Sequence, residues 1–342
     1  MNNNKWYAQV GEQNDIVVST RIRLARNLAQ YPFPAYLTPS EQKQVNTVII
    51  NAFKEIDTEK NLRFIDMEKV DQTAAVSMAE KRITSPEFSL NRAGKSLIVT
   101  NDDSVSIMLG EEDHIRLQVM RAGLDLETTF SIASGIDDKL SEKLTFAFSE
   151  ELGYLTQCPT NLGTAMRASV LLHLPAIRQR GMMNRLASTV SKLGLTIRGA
   201  YGEGSDTKGD FYQLSNQVTL GISEENAIQN LKSITLQIIN QERAARRELM
   251  ENERFEDNVW RAYGILTNAR ILNSSEFMSL VSLVMIGASQ ELFPIEKNLI
   301  NKLLFETQPA TLATIEQNAR YAAERDRLRA RIVRSTLKKC AE

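Results

Sequence analysis

The chain is 342 residues long, 42% hydrophobic and 24% charged, enough apolar material for one large domain or two modest ones. Its formal net charge of −1 gives no electrostatic reason for a nucleic-acid or anionic-membrane partner, and no apolar run approaches the roughly 18–20 residues that span a bilayer. Two cysteines, Cys158 and Cys340, cannot form a disulfide framework, and the polar start MNNNKWYAQVGEQND has no apolar signal core; both point to a reducing, cytoplasmic setting.

In chain order, DIVVSTRIRLARNL begins as a strand that puts Val17, Ser19, Arg21 and Arg23 on one face. YPFPAYLTPS is a proline-rich loop, and Ser40 is the expected cap of a helix over EQKQVNTVIINAFKEI. SLIVT (96–100) and VSIML (105–109) read as a hairpin about the turn NDDS. SEKLTFAFSEELGYLT reads as a helix running into a loop, and MRASVLLHLPAIRQR as a second helix disturbed by Pro175. KLGLTIRGAY is an expected strand, YGEGSDTKGD a loop, and FYQLSNQVTLGIS one or two strands. From Ser223 onward the spacing is helical. The pattern predicts an α+β part over residues 16–247 and an all-helical part over 248–342, with no flexible linker required between them.

Several chemistries are disfavoured. With two histidines and neither Cys-x-x-Cys nor His-x-x-x-His, no zinc site and no metal ligands are expected. His114 and His173 stand beside no nucleophile elbow. The phosphate-binding patterns G-x-x-x-x-G-K-[ST] and G-x-G-x-x-G are absent.

Four arginine-bearing segments remain. In STRIR (19–23), Arg21 and Arg23 lie on one side of a strand, and a guanidinium fork matches phosphate oxygens; a solvated strand face is the plainer alternative. In EEDHIR (111–116) a carboxylate such as Glu112 suits a cationic substrate and Arg116 a phosphate, or the cluster is a surface salt-bridge patch. In CPTNLGTAMRAS (158–169), Gly163 permits a tight turn and the N–H groups of an expected helix start favour anions. Arg167 and Ser169 would lie early on that helix, and Cys158 is either a small buried residue or a thiol activated by nearby arginines. IRGAYGEGSDTKGD (197–210) is a glycine-rich loop with Arg198 at its base and Glu203 at its tip, able to close over a ligand or simply exposed. Together, many guanidinium groups with a few carboxylates fit phosphoryl transfer to a nitrogen base. Catalysis there is positioning and charge stabilisation.

STRIR, EEDHIR and CPTNLGTAMRAS, in this order and separation, resemble the signature segments of the ATP:guanido phosphotransferases, the phosphagen kinases, over about residues 15–245. The resemblance implies a catalytic domain with an antiparallel sheet flanked by helices, followed by an all-helical C-terminal domain. It also implies ATP and Mg²⁺ as cofactors, the ion held mainly by the nucleotide phosphates. Arg21, Arg23, Arg116, Arg167 and Arg198 resemble the nucleotide-phosphate clamp. The neighbouring Ser19, Thr20 and Ile22, then Ala168, Ser169, Val170 and Leu171, then Gly199, Ala200, Tyr201 and Gly202, fall in the same nucleotide-binding segments. Glu112 and Glu203 resemble the two carboxylates that orient the substrate guanidinium, and Cys158 the thiol beside it. Arg82, in EKRITSP, stands where the family usually has a histidine at the base of the nucleotide, and could stack on adenine.

Within that family the chain is most similar to the bacterial branch that phosphorylates arginine in proteins. Only 18 residues precede Ser19, so the helical domain that covers small substrates is expected to be missing, leaving room for a protein. Small-metabolite enzymes tend to carry a further arginine where Tyr201 stands. RDRLRA (325–330) resembles that branch's phosphoarginine-binding motif, which points to Arg325, Asp326, Arg329 and Ala330; an exposed charged helix is the alternative. The branch implies protein substrates with exposed arginines, a zinc-binding activator protein, self-phosphorylation and a homodimer. It also implies a role in bacterial stress, marking proteins for a Clp unfoldase–protease. Two rival readings remain: a kinase of a small guanidino metabolite, and a catalytically silent phosphoarginine-binding adaptor.

Overall fold

The computed structural model describes residues 4–57, 61–200 and 208–338. Its centre is an eight-stranded sheet. In chain order the elements are β1 (Val17–Arg26), α1 (Pro39–Ile56), β2 (Leu62–Asp66), α2 (Gln72–Glu80), α3 (Pro86–Leu90), β3 (Ser96–Thr100), β4 (Val105–Leu109), β5 (Ile115–Ala122) and α4 (Leu126–Ser141). Then come β6 (Phe148–Ser149), β7 (Gly153–Tyr154), β8 (Met166–His173), α5 (Pro175–Gln179), α6 (Met183–Lys192), β9 (Leu195–Gly199), β10 (Phe211–Asn216) and α7 (Glu224–Met250). The rest is helical: α8 (Glu253–Asn268), α9 (Ser274–Ser289), α10 (Lys297–Glu306), α11 (Pro309–Ile315) and α12 (Ala322–Lys338). The main sheet runs β2-β3-β4-β5-β1-β8-β10-β9, antiparallel at every pairing; β6 and β7 pair separately. The fold is α+β, an antiparallel sheet flanked by helices with a helical C-terminal region.

Alternation along the central strands builds two cores. Ile22 and Leu24 of β1, Leu117 and Val119 of β5, and Ala168 and Val170 of β8 join α1, α4 and α7 on one face. On the other face Val18, Met120, Leu171 and Phe211 are buried with residues of the C-terminal helices. The C-terminal layer therefore packs directly on the sheet. It covers only part of that face, and the arginines occupy the part beside it.

The structure corrects several expectations. MRASVLLH is the strand β8, not a helix. Met166, Ala168, Val170 and Leu172 face one core while Leu171 faces the other, so the apolar residues are needed on both sides of a strand. Pro175 opens α5 at its first turn, where its missing N–H costs nothing. The expected helix start after Gly163 is absent. Gly163 has φ +98°, and a Cβ there would meet the Thr219 carbonyl oxygen at 2.2 Å; the glycine serves close backbone packing before a strand. α4 ends at Ser141, and the stretch to Leu155 holds only turns and the short strands β6 and β7. FYQLSN is one strand. Thr38, not Ser40, caps α1: it accepts from the Glu41 N–H, Glu41 bonds back, and Pro39 fills the first turn. A bulge between Val17 and Ser19 puts Val17 on the face opposite Arg21 and Arg23.

Candidate active site

Antiparallel register brings the cations together. Arg21 of β1 lies opposite Ser169 of β8, and Arg23 opposite Arg167. On the other side of β1, Arg116 of β5 lies opposite Ala25. Arg198 of β9 lies opposite Gln213 of β10, the strand that in turn flanks β8. Arg21, Arg23, Arg82 and Arg116 line one cleft of about 500 Å³. Arg21 donates from Nε to Ser169 Oγ at 3.3 Å, while the buried Nε of Arg23 has no hydrogen-bond partner among the described residues.

These groups share one electrostatic field. Burial first, then Arg82, Arg116 and Arg167, push the Arg21 guanidinium well below the ordinary arginine range. Arg23 is pushed down by burial and by Arg21, Arg116 and Arg167, with Glu111 opposing. Arg167 is lowered by burial and by Arg198 and Arg116, and partly relieved by Cys158 and Glu112. Half-buried like charges of this kind favour a bound anion. The orphan Arg23 Nε and the mutual repulsion fit a polyphosphate.

Glu112 is an exposed residue at the edge of the cluster. Burial of its carboxylate, with Asp113 and Glu111 nearby, raises its pKa above the usual carboxylate range; Arg116 and a hydrogen bond from Cys158 oppose this. Cys158 Sγ is also 3.1 Å from Thr160 Oγ1. The thiol, the carboxylate and Arg167 thus share one electrostatic neighbourhood.

Other predicted residues are placed elsewhere. Thr20 bonds the Gly123 carbonyl at 2.7 Å, Ile22, Ala168 and Val170 are core, and Leu171 faces the C-terminal helices; their side chains do not reach the cleft. Ser19 is buried. Ala200, next to Gly199, lines the cleft. Tyr201, Gly202 and Glu203 lie outside the described residues, as does Cys340. On α12, Arg329 is buried and donates to the Thr307 and Leu272 carbonyls and to Asp326 Oδ1, at 2.9, 2.8 and 2.7 Å. Arg325 is partly exposed and bonds the Arg320 carbonyl at 2.6 Å. Ala330 is buried.

Sequence reasoning missed the supports. Glu111, not Glu112, takes Arg116 as its ion-pair partner, and Ser85 Oγ donates to its other oxygen at 2.8 Å. Asp113 Oδ1 accepts from Asn27 Nδ2 at 2.6 Å and from the Gln157 N–H at 2.9 Å, stitching the Glu112 turn to the Cys158 loop. His114 takes the Leu28 N–H on Nδ1 at 3.1 Å and donates from Nε2 to Pro32 O at 2.9 Å, a structural role. Among the described residues no cluster of three or more His, Cys, Asp or Glu is placed to hold a metal ion.

A sheet that gathers guanidinium groups on one face, with a carboxylate and a thiol at their edge, has the make-up of a phosphotransferase. Comparison with known proteins gives the family. The family model of the ATP:guanido phosphotransferase C-terminal catalytic domain matches residues 44–245, and that of the protein-arginine kinase McsB C-terminal domain matches 252–342. The chain belongs to the ATP:guanido phosphotransferase family and is an enzyme of that class. A protein from Clostridium acetobutylicum named protein-arginine kinase is 42% identical over 97% of this chain and 99% of its own. One of the same name from Halalkalibacterium halodurans is 40% identical over 97% and 95%. Among solved structures, the duplicated taurocyamine kinase of Schistosoma mansoni shares the fold at a TM-score of 0.61 and 24% identity, over 77% of this chain and 36% of that one. Lombricine kinase does so at 0.59 and 24%, over 70% of each. Arg21 and Arg23 lie before the matched catalytic stretch, yet β1 places them at its centre.

Proposed function

We propose that this enzyme transfers the γ-phosphoryl group of ATP to arginine side chains of proteins. The observation that carries the reading is the convergence of Arg21, Arg23, Arg116 and Arg167 around a buried donor, Arg23 Nε, that has no partner among the described residues, with Glu112 exposed at their edge. The guanidinium groups hold and neutralise the triphosphate, and Arg167 bridges its far end to the acceptor site. A cluster so cationic repels a bare divalent ion, so Mg²⁺ enters with the nucleotide and supplies further charge neutralisation on its phosphates. Glu112 accepts two N–H bonds of the incoming guanidinium and fixes the attacking nitrogen in line. Cys158 holds Glu112 in place. An arginine guanidinium holds its proton far above neutral pH, so Glu112 acts by alignment and takes the proton late in the transfer. Glu203 is assigned the second orienting carboxylate on the resemblance alone. The same is true of the stress-marking role, the Clp partner, the zinc-binding activator, the homodimer and the phosphoarginine pocket at Arg325 and Asp326.

The test is ³²P transfer from ATP·Mg²⁺ to an unfolded arginine-containing protein and to free L-arginine, with the product scored as acid-labile phosphate. Label on the protein that acid removes supports the proposal. Turnover of free arginine with none on protein favours a small-metabolite kinase. No transfer to either, with phosphoarginine still bound, favours a silent adaptor.

A further inference from the structure

The cleft has two kinds of lining. Arg21, Arg23, Arg82 and Arg116 make it cationic, while Val76 and Ala79 of α2, with Met108 of β4 opposite Arg116, give it apolar surface, and Gln308 lines it too. Gln308 is the one cleft residue, among those described, that comes from the C-terminal helical layer.

Its side chain has a defined orientation. The amide nitrogen donates to the Leu304 carbonyl at 2.7 Å. A carbonyl only accepts, so the nitrogen must be on that side and the amide oxygen on the other. Among the described residues nothing donates to that oxygen. The segment is held from the catalytic side. Glu80, which also lines the cleft, accepts from the N–H groups of Ala310 and Thr311 at 2.8 and 2.7 Å and from Thr311 Oγ1 at 2.9 Å. Ser77 Oγ lies 3.1 Å from Thr311 Oγ1. α2 therefore clamps the start of α11 and fixes Gln308, the residue before it, in the cleft lining.

We propose that Gln308 is a nucleotide-specificity residue: its amide oxygen accepts the 6-amino group of the purine whose phosphates the arginines hold. Glu80 is the positioning residue behind it. An acceptor at that place selects a 6-amino purine and opposes a 6-oxo purine, whose own acceptor would face it. The C-terminal layer thus completes the nucleotide site. The inference rests on the ATP reading above and deepens it.

The test uses the full chain and two triphosphates, ATP and its 6-oxo counterpart inosine triphosphate, with binding measured by calorimetry. One neutral hydrogen bond lost sets the scale, about tenfold. Unmodified protein should bind ATP about tenfold tighter than inosine triphosphate. Gln308→Met should bring the two within about twofold of each other, by weakening ATP and, to a smaller degree, relieving inosine triphosphate. Glu80→Ala should narrow the ratio in the same direction. Equal affinities in the unmodified protein overturn the proposal without any variant. An unchanged ratio in Gln308→Met overturns it while leaving ATP as the substrate. Failure of the unmodified chain to bind either nucleotide overturns the functional reading, and this inference with it.

Discussion

Arg23 and Arg167 stand directly opposite each other on neighbouring antiparallel strands. Like charges at facing positions cost a sheet up to about 1 kcal/mol, and here Arg21 and Arg116 add to the repulsion. A fold selected for stability alone has no use for such a pair. Arg167→Gln is therefore expected to stabilise the ligand-free chain in urea unfolding by up to about 1 kcal/mol, while ATP affinity falls. Tripolyphosphate should raise Tm of the unmodified protein well beyond sodium chloride at equal ionic strength, and should raise that of Arg167→Gln less. A variant that loses stability and keeps ATP affinity would count against the anion site.

Glu112 sets a pH dependence whose sign can be stated. Its raised pKa means that the folded chain holds the proton more tightly than the unfolded one. Its contribution to stability is thus complete below the ordinary carboxylate pKa and is lost as pH rises through the raised value. Activity runs the other way, because only the ionised carboxylate orients a guanidinium. kcat/KM should fall on acidification along a limb displaced upward from that of a free carboxylate, and Glu112→Gln should lower it at least about 100-fold with no such limb.

The neighbours of Glu112 should move that limb in opposite directions. Cys158 donates to Glu112 and lowers its pKa, so Cys158→Ala should shift the limb to higher pH and cost up to about tenfold in rate. Asp113 raises the Glu112 pKa by its charge, so Asp113→Asn should shift the limb to lower pH. The asparagine oxygen can still accept from Asn27 and Gln157, and activity at neutral pH should survive. Asp113→Ala loses both bonds, and its KM for the acceptor should rise while that for ATP stays. Steady-state rates from pH 5 to 9 check all three.

How much of this was legible depended on what covers each residue. Arg21 and Arg23 were readable because their face of β1 is polar where the arginines sit, so the period of two survives. In β8 the same alternation is hidden. The C-terminal helices bury Leu171 and His173 on one face while Val170 and Leu172 fill the other core, and VLLHL then matches a helix as well as a strand. The Thr38–Glu41 capping box was in plain sight, and only its first residue was misassigned. Glu111 against Glu112 was not decidable, since adjacent carboxylates in a turn point apart and only the third dimension shows which one meets Arg116. Gln308 carried no local signal at all: its place in the cleft depends on contacts with α2, some 230 residues away in sequence.

A fully buried polar network ties the sheet to the helical layer. Arg246 of α7 donates from Nη2 to His173 Nδ1 at 3.0 Å, and from Nε to Glu242 at 2.8 Å. His173 Nε2 is 2.8 Å from Ser282 Oγ on α9, and that hydroxyl lies 2.9 Å from Asp210 Oδ2 at the start of β10. Since Nδ1 accepts from Arg246, Nε2 carries the proton and donates to Ser282, whose own proton goes to Asp210. Burial and Arg246 hold the His173 pKa well below the ordinary imidazole range, so the ring stays neutral across the working pH. Arg246→Met would leave the Glu242 carboxylate, which is 0% exposed, without its counter-charge and with only the Ala176 and Ile177 N–H donors, at a cost of about 3–5 kcal/mol. Ser282→Ala should cost about 1–3 kcal/mol by leaving the His173 N–H unmade. Urea unfolding by fluorescence measures both, and a smaller loss in Arg246→Met than in Ser282→Ala would show that the ion pair is not what anchors the layer.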